Sequence, residues 1–384
     1  MRVPAEADFG SRLRSAAVTA RVGTWLAVCF TICFVTGLIS HYAQNVSQPI
    51  PFPTSPSWGY RVTQGLHVIT GTAAVPLFLV KLWTVYPKLF ARRPRDVRRL
   101  ALHGVERVSI AVLVAGAIFQ LASGLLNSAQ WYPWAFSFRA THYAVGWITI
   151  GALVVHVAVK LPVIRRALVS DLEADGLDRP GTREATGGLT RRGLLRSTWL
   201  ASGVAVLATA GSTVPLLRKV SVFGVRSGDG PAGIPINKSA RAAGVTASAT
   251  SASATLTVAY GGREVVLRPG ELAAMSGTDA DLPIACVEGW SASGTWTGVR
   301  VRELLDLVDA PAGCDVRVTS LQERGAFRAS TLPGTFVDDP LTLLATGLDG
   351  ETLALDHGYP CRIIAPNRPG VLQTKWVSRL DVIA

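Results

Sequence analysis

The chain has 384 residues, 49% of them hydrophobic and only 17% charged, and carries a formal net charge of +12. So apolar a composition with so few charges departs from that of a soluble globular protein and points to a membrane. The basic excess does not describe a nucleic-acid face, because the arginines gather in particular loops rather than mixing with aromatic residues along one surface.

Four apolar stretches, 22–42, 63–86, 105–127 and 139–161, are each long enough to cross a bilayer core, which takes about 20 helical residues. Their flanks are asymmetric. Arg12, Arg14 and Arg21 precede the first stretch, and Lys88, Arg92, Arg93, Arg95, Arg98 and Arg99 fill the second loop. Lys160, Arg165, Arg166, Arg179 and Arg183 follow the fourth, whereas the first and third loops hold only Arg61 and Arg139. The positive-inside rule then makes both ends of this four-helix unit cytoplasmic.

Next comes "LTRRGLLRSTWLASGVAVLATAGSTVPLL", a basic head on a mildly apolar run. It reads as a fifth span or a signal. "TRRGLLR" resembles the twin-arginine export signal, with Arg191 and Arg192 as the pair; an ordinary positive-inside flank is the plainer reading. The resemblance implies the twin-arginine export machinery as a partner, and so export of a domain already folded around a cofactor. Ala208-Thr209-Ala210 has the small residues of a cleavage site, but cleavage would part the domain from its membrane unit, so a retained anchor is expected.

Beyond Ser221 the pattern changes to short β-like runs, "ATLTVAY", "REVVL", "DVRVTSL", "CRIIAP" and "VSRLDVI", with one helix expected around Val301 to Val308. "TASATSASAT", 246–255, reads as a loop. The expected fold is an all-α transmembrane four-helix bundle plus a fifth anchor helix, followed by an α+β, β-rich domain. Its expected boundaries are a cytoplasmic N-terminus at 1–21, the bundle at 22–165, a cytoplasmic linker at 166–196, the fifth helix at 197–217 and an exported domain at 218–384.

Five of the six histidines, His41, His67, His103, His142 and His156, lie in or beside the apolar stretches. Ionisable residues at membrane depth mark function. His142 and His156 are fourteen residues apart, close to four helical turns, so both face one side of a helix about 21 Å apart along its axis. A haem iron held by two imidazoles needs one from each of two facing helices at equal depth. The topology above pairs His67 with His142 and His103 with His156. His41 is left to replace His67, to lie near a quinol site or to cap a helix. This placement resembles the b-type cytochrome subunits of formate dehydrogenases and the bacterial cytochrome b561 group, in which histidines fourteen apart on one helix serve two stacked haems. The resemblance implies haem b, two per chain, and quinone or quinol as an electron partner.

Cys286 lies in "IACVEGWSASGTWTGV". This block and "DHGYPCRIIAPNRPGVLQTKWVSRLDV", Asp356 to Val382, resemble the molybdopterin domain of the sulfite oxidase superfamily, nearest to its periplasmic protein-methionine-sulfoxide reductase branch. The resemblance implies a molybdenum-molybdopterin cofactor with Cys286 as the one protein ligand to the metal, a soft thiolate suited to a redox metal. It places Asn237, in "GIPINKSA", at the cofactor. The cofactor ends in a phosphate, for which Arg362, Arg368 and Lys375 are the candidate partners; Arg362 has an alternative in Asp356. Gly370 lets backbone amides approach an anion. His357 either hydrogen-bonds the pterin or stabilises a turn. Cys314 and Cys361 either form a disulfide or are simply buried.

The chain is thus expected to be a membrane-bound molybdenum oxidoreductase, coupling two-electron oxo transfer on an external small molecule or protein sulfoxide to quinone through b haems. The alternatives are oxidation of a reduced substrate with electrons delivered to quinone, or a metal-free, membrane-anchored binding module. No Walker loop, zinc-type cysteine pair or post-strand GxGxxG gives nucleotide chemistry a foothold.

Overall fold

A computed structural model describes residues 4–47, 52–91, 95–179, 181–182, 188–224 and 230–383. Arg92, Arg93 and Arg183, counted above among the loop cations, lie outside the described residues. The chain divides into two units, one of Met1–Gly37, Leu66–Gly211 and Leu217–Gly224, the other of Leu38–Gly65, Ser212–Leu216 and Val225–Ala384.

Among the described residues five helices are long and apolar enough to cross a membrane: α1 (Ala16–Ala43), α2 (Gly59–Val85, extended to Phe90 by a 3-10 turn), α3 (Val97–Ser128), α4 (Phe138–Val169) and α5 (Arg191–Thr209). α3 begins well before the apolar run it carries, because the Asp96 side chain accepts from the Arg99 amide at 2.9 Å and caps the first turn. Thr190 caps α5 in the same way, accepting from Gly193 at 3.0 Å. The first unit's core lies among α1, α2 and α3, where Ala17, Val18, Val22, Ala74, Leu77 and Ala117 are almost fully buried. α3 and α4 touch where Gly116 leaves room for the Thr149 hydroxyl.

Of the two arginines in "TRRGLLR", Arg191 is fully buried and Arg192 exposed. The Arg191 guanidinium donates to the carbonyls of Arg12 (3.1 Å), Leu172 (3.0 Å) and Ala174 (2.9 Å) and pairs with Asp178. One side chain thereby ties the N-terminal segment and the linker to the start of α5.

The second unit holds two five-stranded sheets. The first has the order β2-β1-β10-β5-β6, formed by β1 (Leu256–Tyr260), β2 (Arg263–Leu267), β5 (Asp315–Ser320), β6 (Ala329–Leu332) and β10 (Val377–Ile383). Only β1 with β10 runs parallel. The second comprises β3 (Thr278–Ala285), β4 (Ser291–Arg300), β7 (Leu343–Leu348), β8 (Glu351–Thr352) and β9 (Arg362–Ile364), all antiparallel. Leu256, Val258, Val299, Leu304, Val316, Val318, Ile363 and Leu380 meet in one apolar core, the alternate residues of several strands facing the same side. Residues 246–250, read from sequence as a loop, form a short helix. Its Ala249 packs with Ala240, Val245 and Trp376, which gives this small-residue segment a core of its own.

Candidate functional site: a cationic pocket and a histidine pair

β3 and β4 form a hairpin, and Cys286 opens the turn between them. The Cys286 amide donates to the Trp290 carbonyl (2.9 Å), and Gly289, at φ +87°, donates back to the Cys286 carbonyl (3.0 Å). That left-handed φ suits glycine. The Cys286 thiol is buried, with a Glu288 carboxylate oxygen 3.8 Å away, and the same oxygen accepts from the Trp290 indole at 3.0 Å. Burial, then the negative charge of Glu288, push the thiol's pKa up. Cys286 is therefore a protonated thiol until something draws the proton away, as a bound metal does.

Beside this turn lies a small pocket lined by Ile234, Pro235, Asn237, Ile284, Trp290, His357, Arg362, Gly370 and Lys375. Apolar walls with a few convergent polar groups are the make-up of a ligand site. Arg362 and Lys375 stand across from each other in a β-bridge. The Arg362 guanidinium donates to the carbonyls of His357 (3.1 Å) and Gln373 (3.2 Å) and lies 5.1 Å above the ring of buried Trp296. Burial pulls it down to about 9, still a cation at neutral pH. Lys375 donates to the carbonyls of Lys238 (2.6 Å) and Asp356 (2.9 Å); burial and then the charge of Arg362 lower it to about 7. A buried guanidinium and a buried amine lowered to about 7, both held by carbonyls with no carboxylate among the lining residues, suit an anion.

His357 donates from Nε2 to the Pro231 carbonyl (2.8 Å), which fixes its tautomer, and burial lowers its pKa. Gly358 turns the chain at φ +118°, and a side chain there would strike the Cβ atoms of Arg362 and Lys375 at 3.0 and 3.2 Å. A Cβ on Gly370 would lie 3.0 Å from the Ile284 side chain and 3.2 Å from the Ala285 carbonyl, so this backbone passes hard against the strand leading to Cys286.

Five of the six residues expected near Cys286 therefore line one pocket; Arg368 does not. Its buried side chain braces the following turn, donating to the carbonyls of Leu372 (3.1 Å) and Thr331 (2.8 Å) over the Phe336 ring (5.3 Å). Arg362 holds carbonyls, while Asp356 accepts from the Ala240 amide at 2.7 Å. All five cysteines are free, so Cys314 and Cys361 form no disulfide. Sequence reasoning passed over Glu288 and Trp290, although both stand in the motif around Cys286. It also missed Ile234 and Pro235, for which only their nearness to Asn237 was a signal.

In the bundle, the rings of His67 and His142 face each other with centroids 6.3 Å apart. Two imidazoles on one iron, with metal–nitrogen bonds of about 2 Å, have centroids roughly 6 Å apart. Each ring is oriented through Nδ1. That of His67 bonds the Cys33 carbonyl (3.0 Å) and the Thr36 hydroxyl (3.1 Å), and that of His142 bonds the Ser123 hydroxyl (2.9 Å). Among the described residues no hydrogen bond is made by either Nε2, and a bond through Nδ1 is the arrangement that fixes a ligand histidine's tautomer.

The second expected pair is not formed. Ser123 bonds His142, and Gly116 abuts Thr149. Carried down α3 and α4, that pairing sets His156 level with Ser109. His103 lies six residues beyond, about 9 Å nearer the arginine-rich end, and its Nε2 accepts from Arg107 Nε at 3.2 Å. His41 packs its ring edge-on against Tyr42 at 5.7 Å.

Among the described residues no group of three or more His, Cys, Asp and Glu side chains could hold a metal. A lone buried thiol beside a cationic, glycine-lined pocket fits a metal that brings its other ligands on an anionic organic group. The comparisons agree. Residues 244–384 match the family model of the oxidoreductase molybdopterin binding domain, and residues 20–162 that of prokaryotic cytochrome b561. A protein of Azospira oryzae named provisionally as a protein-methionine-sulfoxide reductase subunit, YedZ1, is 32% identical over 29% of this chain and 42% of its own length. The sulfite oxidase of Arabidopsis thaliana is 31% identical over 25% of this chain and 29% of its own. The protein-methionine-sulfoxide reductase catalytic subunit MsrP of Gluconobacter oxydans is 29% identical over 26% of this chain and 36% of its own. The chain thus spans less than half the length of these curated relatives. It resembles a sulfite-oxidase-type molybdopterin domain joined to a b-type cytochrome membrane domain, a multi-pass membrane protein with a β-rich C-terminal domain.

Proposed function

We propose that the chain is a membrane-bound molybdoenzyme that reduces a sulfoxide with electrons drawn from quinol through b haem. The observation that carries this reading is the pocket. Residues from three separate segments, at 234–237, 284–290 and 357–375, line one pocket beside the turn that buries the Cys286 thiol, with the buried Arg362 and Lys375 in its wall. When bound, the molybdenum supplies two-electron oxygen-atom transfer and the haem iron single-electron transfer.

The chain's own residues divide the rest of the work. The Cys286 thiolate would hold the metal. Arg362 and Lys375 would take the cofactor's phosphate and negative oxygens, with Asn237 and His357 fixing the pterin's orientation. Trp290 and Ile284 wall the pocket and exclude water, which strengthens every charge inside it. Glu288 holds the Trp290 indole in place through its 3.0 Å hydrogen bond. His67 and His142 would hold the haem iron, their Nδ1 bonds setting the rings. The overall reaction consumes a sulfoxide, two electrons and two protons and yields a sulfide and water. Quinol supplies the electrons.

The loop charges favour a catalytic domain outside the cytoplasm. Export through the twin-arginine machinery completes the reading. The machinery would engage Arg191 before its guanidinium is enclosed by Arg12, Leu172, Ala174 and Asp178.

The test is a membrane assay: a sulfoxide added to membranes holding the quinol-reduced protein should oxidise the haem and yield the sulfide. A haem that stays reduced with every sulfoxide, and that in a separate oxidised sample becomes reduced when a sulfide or sulfite is added, would reverse the direction of flow.

A further inference from the structure

We infer that the helical bundle holds one haem, between His67 and His142, and that Lys81 stands where a second haem would need its ligand. The inference rests on the haem reading above and departs from the two-haem expectation drawn from the fourteen-residue spacing on α4.

α2 and α4 face each other at His67 and His142. Fourteen residues further along α4 is His156; fourteen residues further along α2 is Lys81. α2 contains Pro76 between these levels, so its phase is checked against α1. His67 lies against Gly37, whose Cβ would be 3.4 Å from the ring, and its Nδ1 bonds the Cys33 carbonyl at 3.0 Å. Lys81 lies against Gly23, whose Cβ would be 2.5 Å from Nζ, and Nζ donates to the Thr19 carbonyl at 2.9 Å. Gly37 to Gly23 and Cys33 to Thr19 are again fourteen residues. Lys81 therefore repeats the placement of His67 one level down, on the same side of the same helix.

The two placements differ in chemistry. His67 spends one nitrogen on the carbonyl and keeps the other for iron. Lys81 has a single nitrogen, held against α1 by the Thr19 carbonyl in a space that only glycine at 23 leaves open. On α3 the residue level with His156 is Ser109, and His103 is about 9 Å too far along. Ala17, Val18, Val22, Ala74, Leu77 and Phe78, within a few residues of Thr19, Gly23 or Lys81 in sequence, are packed into the bundle's core. His156 thus has no second imidazole at its depth among the described residues. Electrons would enter and leave by the half of the bundle that carries His67 and His142, so quinol is oxidised in that half and no electron crosses the whole bilayer.

The experiment is the haem-to-polypeptide ratio of the purified full-length protein, measured as pyridine haemochrome, with a redox titration of the visible band. A ratio near one and a single one-electron wave are expected. A ratio near two, or loss of half the haem in His156→Ala, overturns the inference and leaves the haem reading standing. A ratio of zero overturns the haem reading itself. In the variants, His156→Ala should keep the haem content and electron paramagnetic resonance signature of the parent, and His142→Ala should lose both.

Discussion

The helical bundle and the β-rich domain position their functional groups by different means. In the bundle, one periodicity does most of the work: fourteen residues on a straight helix return to the same face four turns away, and neighbouring helices carry the register across. In the β-rich domain no period links Asn237, Cys286, His357 and Lys375. They are brought together by a hairpin, a left-handed turn at Gly358 and a close approach at Gly370. A site on regular helices tolerates change until a ligand itself is lost, whereas a site built from turns is sensitive to each backbone special.

The largest effect should come from the bundle. His142→Ala removes one of the two imidazoles that would hold the haem iron, and the visible b-type band of the purified protein should vanish while its molybdenum content stays at the parent value. Loss of both would break the comparison by showing that the two units do not fold separately. Next, Arg191→Gln leaves Asp178 and three carbonyls without their shared partner and should cost about 3 kcal/mol, the scale of a broken buried ion pair. Arg192→Gln at the exposed neighbour should cost less than about 0.5 kcal/mol. Thermal unfolding followed at the helical signal measures both.

The pocket's cations should give smaller, pH-dependent changes. Lys375 falls from an ordinary 10.5 to about 7 because of burial and then Arg362. Between those values the unfolded chain holds a proton that the folded, cofactor-free domain does not, so this group's cost to stability is complete below pH 7 and relieved as pH rises towards 10.5. Lys375→Met should therefore stabilise the cofactor-free domain by about 2 kcal/mol at pH 6 to 7, an advantage gone near pH 10.5, while weakening cofactor retention. Denaturant titration across that range is the check. A smaller effect than for Lys375 is expected for Gly358→Ala, which asks alanine for φ +118° and presses on Arg362 and Lys375. About 1 kcal/mol and a partial loss of molybdenum should follow.

Much of this was legible in the sequence. Helix number and type follow from apolar length, since a continuous apolar run of about 20 residues satisfies its own spanning backbone as a helix. Helix ends were less legible because capping, not hydrophobicity, sets them: Asp96 starts α3 among arginines that look like loop. The His67–His142 pair could be found because both residues are rare and their depths follow from topology. The His103–His156 pair misled because depth was read from distance to the ends of apolar runs, while contacts such as Gly116 with Thr149 set the true register. In the pocket, Lys375 and Arg362 were found by motif and charge. Arg368 looked identical in sequence, and only the fold shows that its guanidinium braces a turn. Helix 246–250 was hidden by its alanine, serine and threonine content, which carries no periodic apolar signal.

The central claim is that Cys286 is the sole protein ligand of a molybdenum cofactor in this pocket, and its most direct test is metal analysis of the purified full-length protein beside Cys286→Ser. The account predicts one molybdenum per chain in the parent and none in the variant, with the b-type band unchanged in both. Molybdenum retained at full occupancy in Cys286→Ser, or absent from a parent that carries its haem, would contradict it.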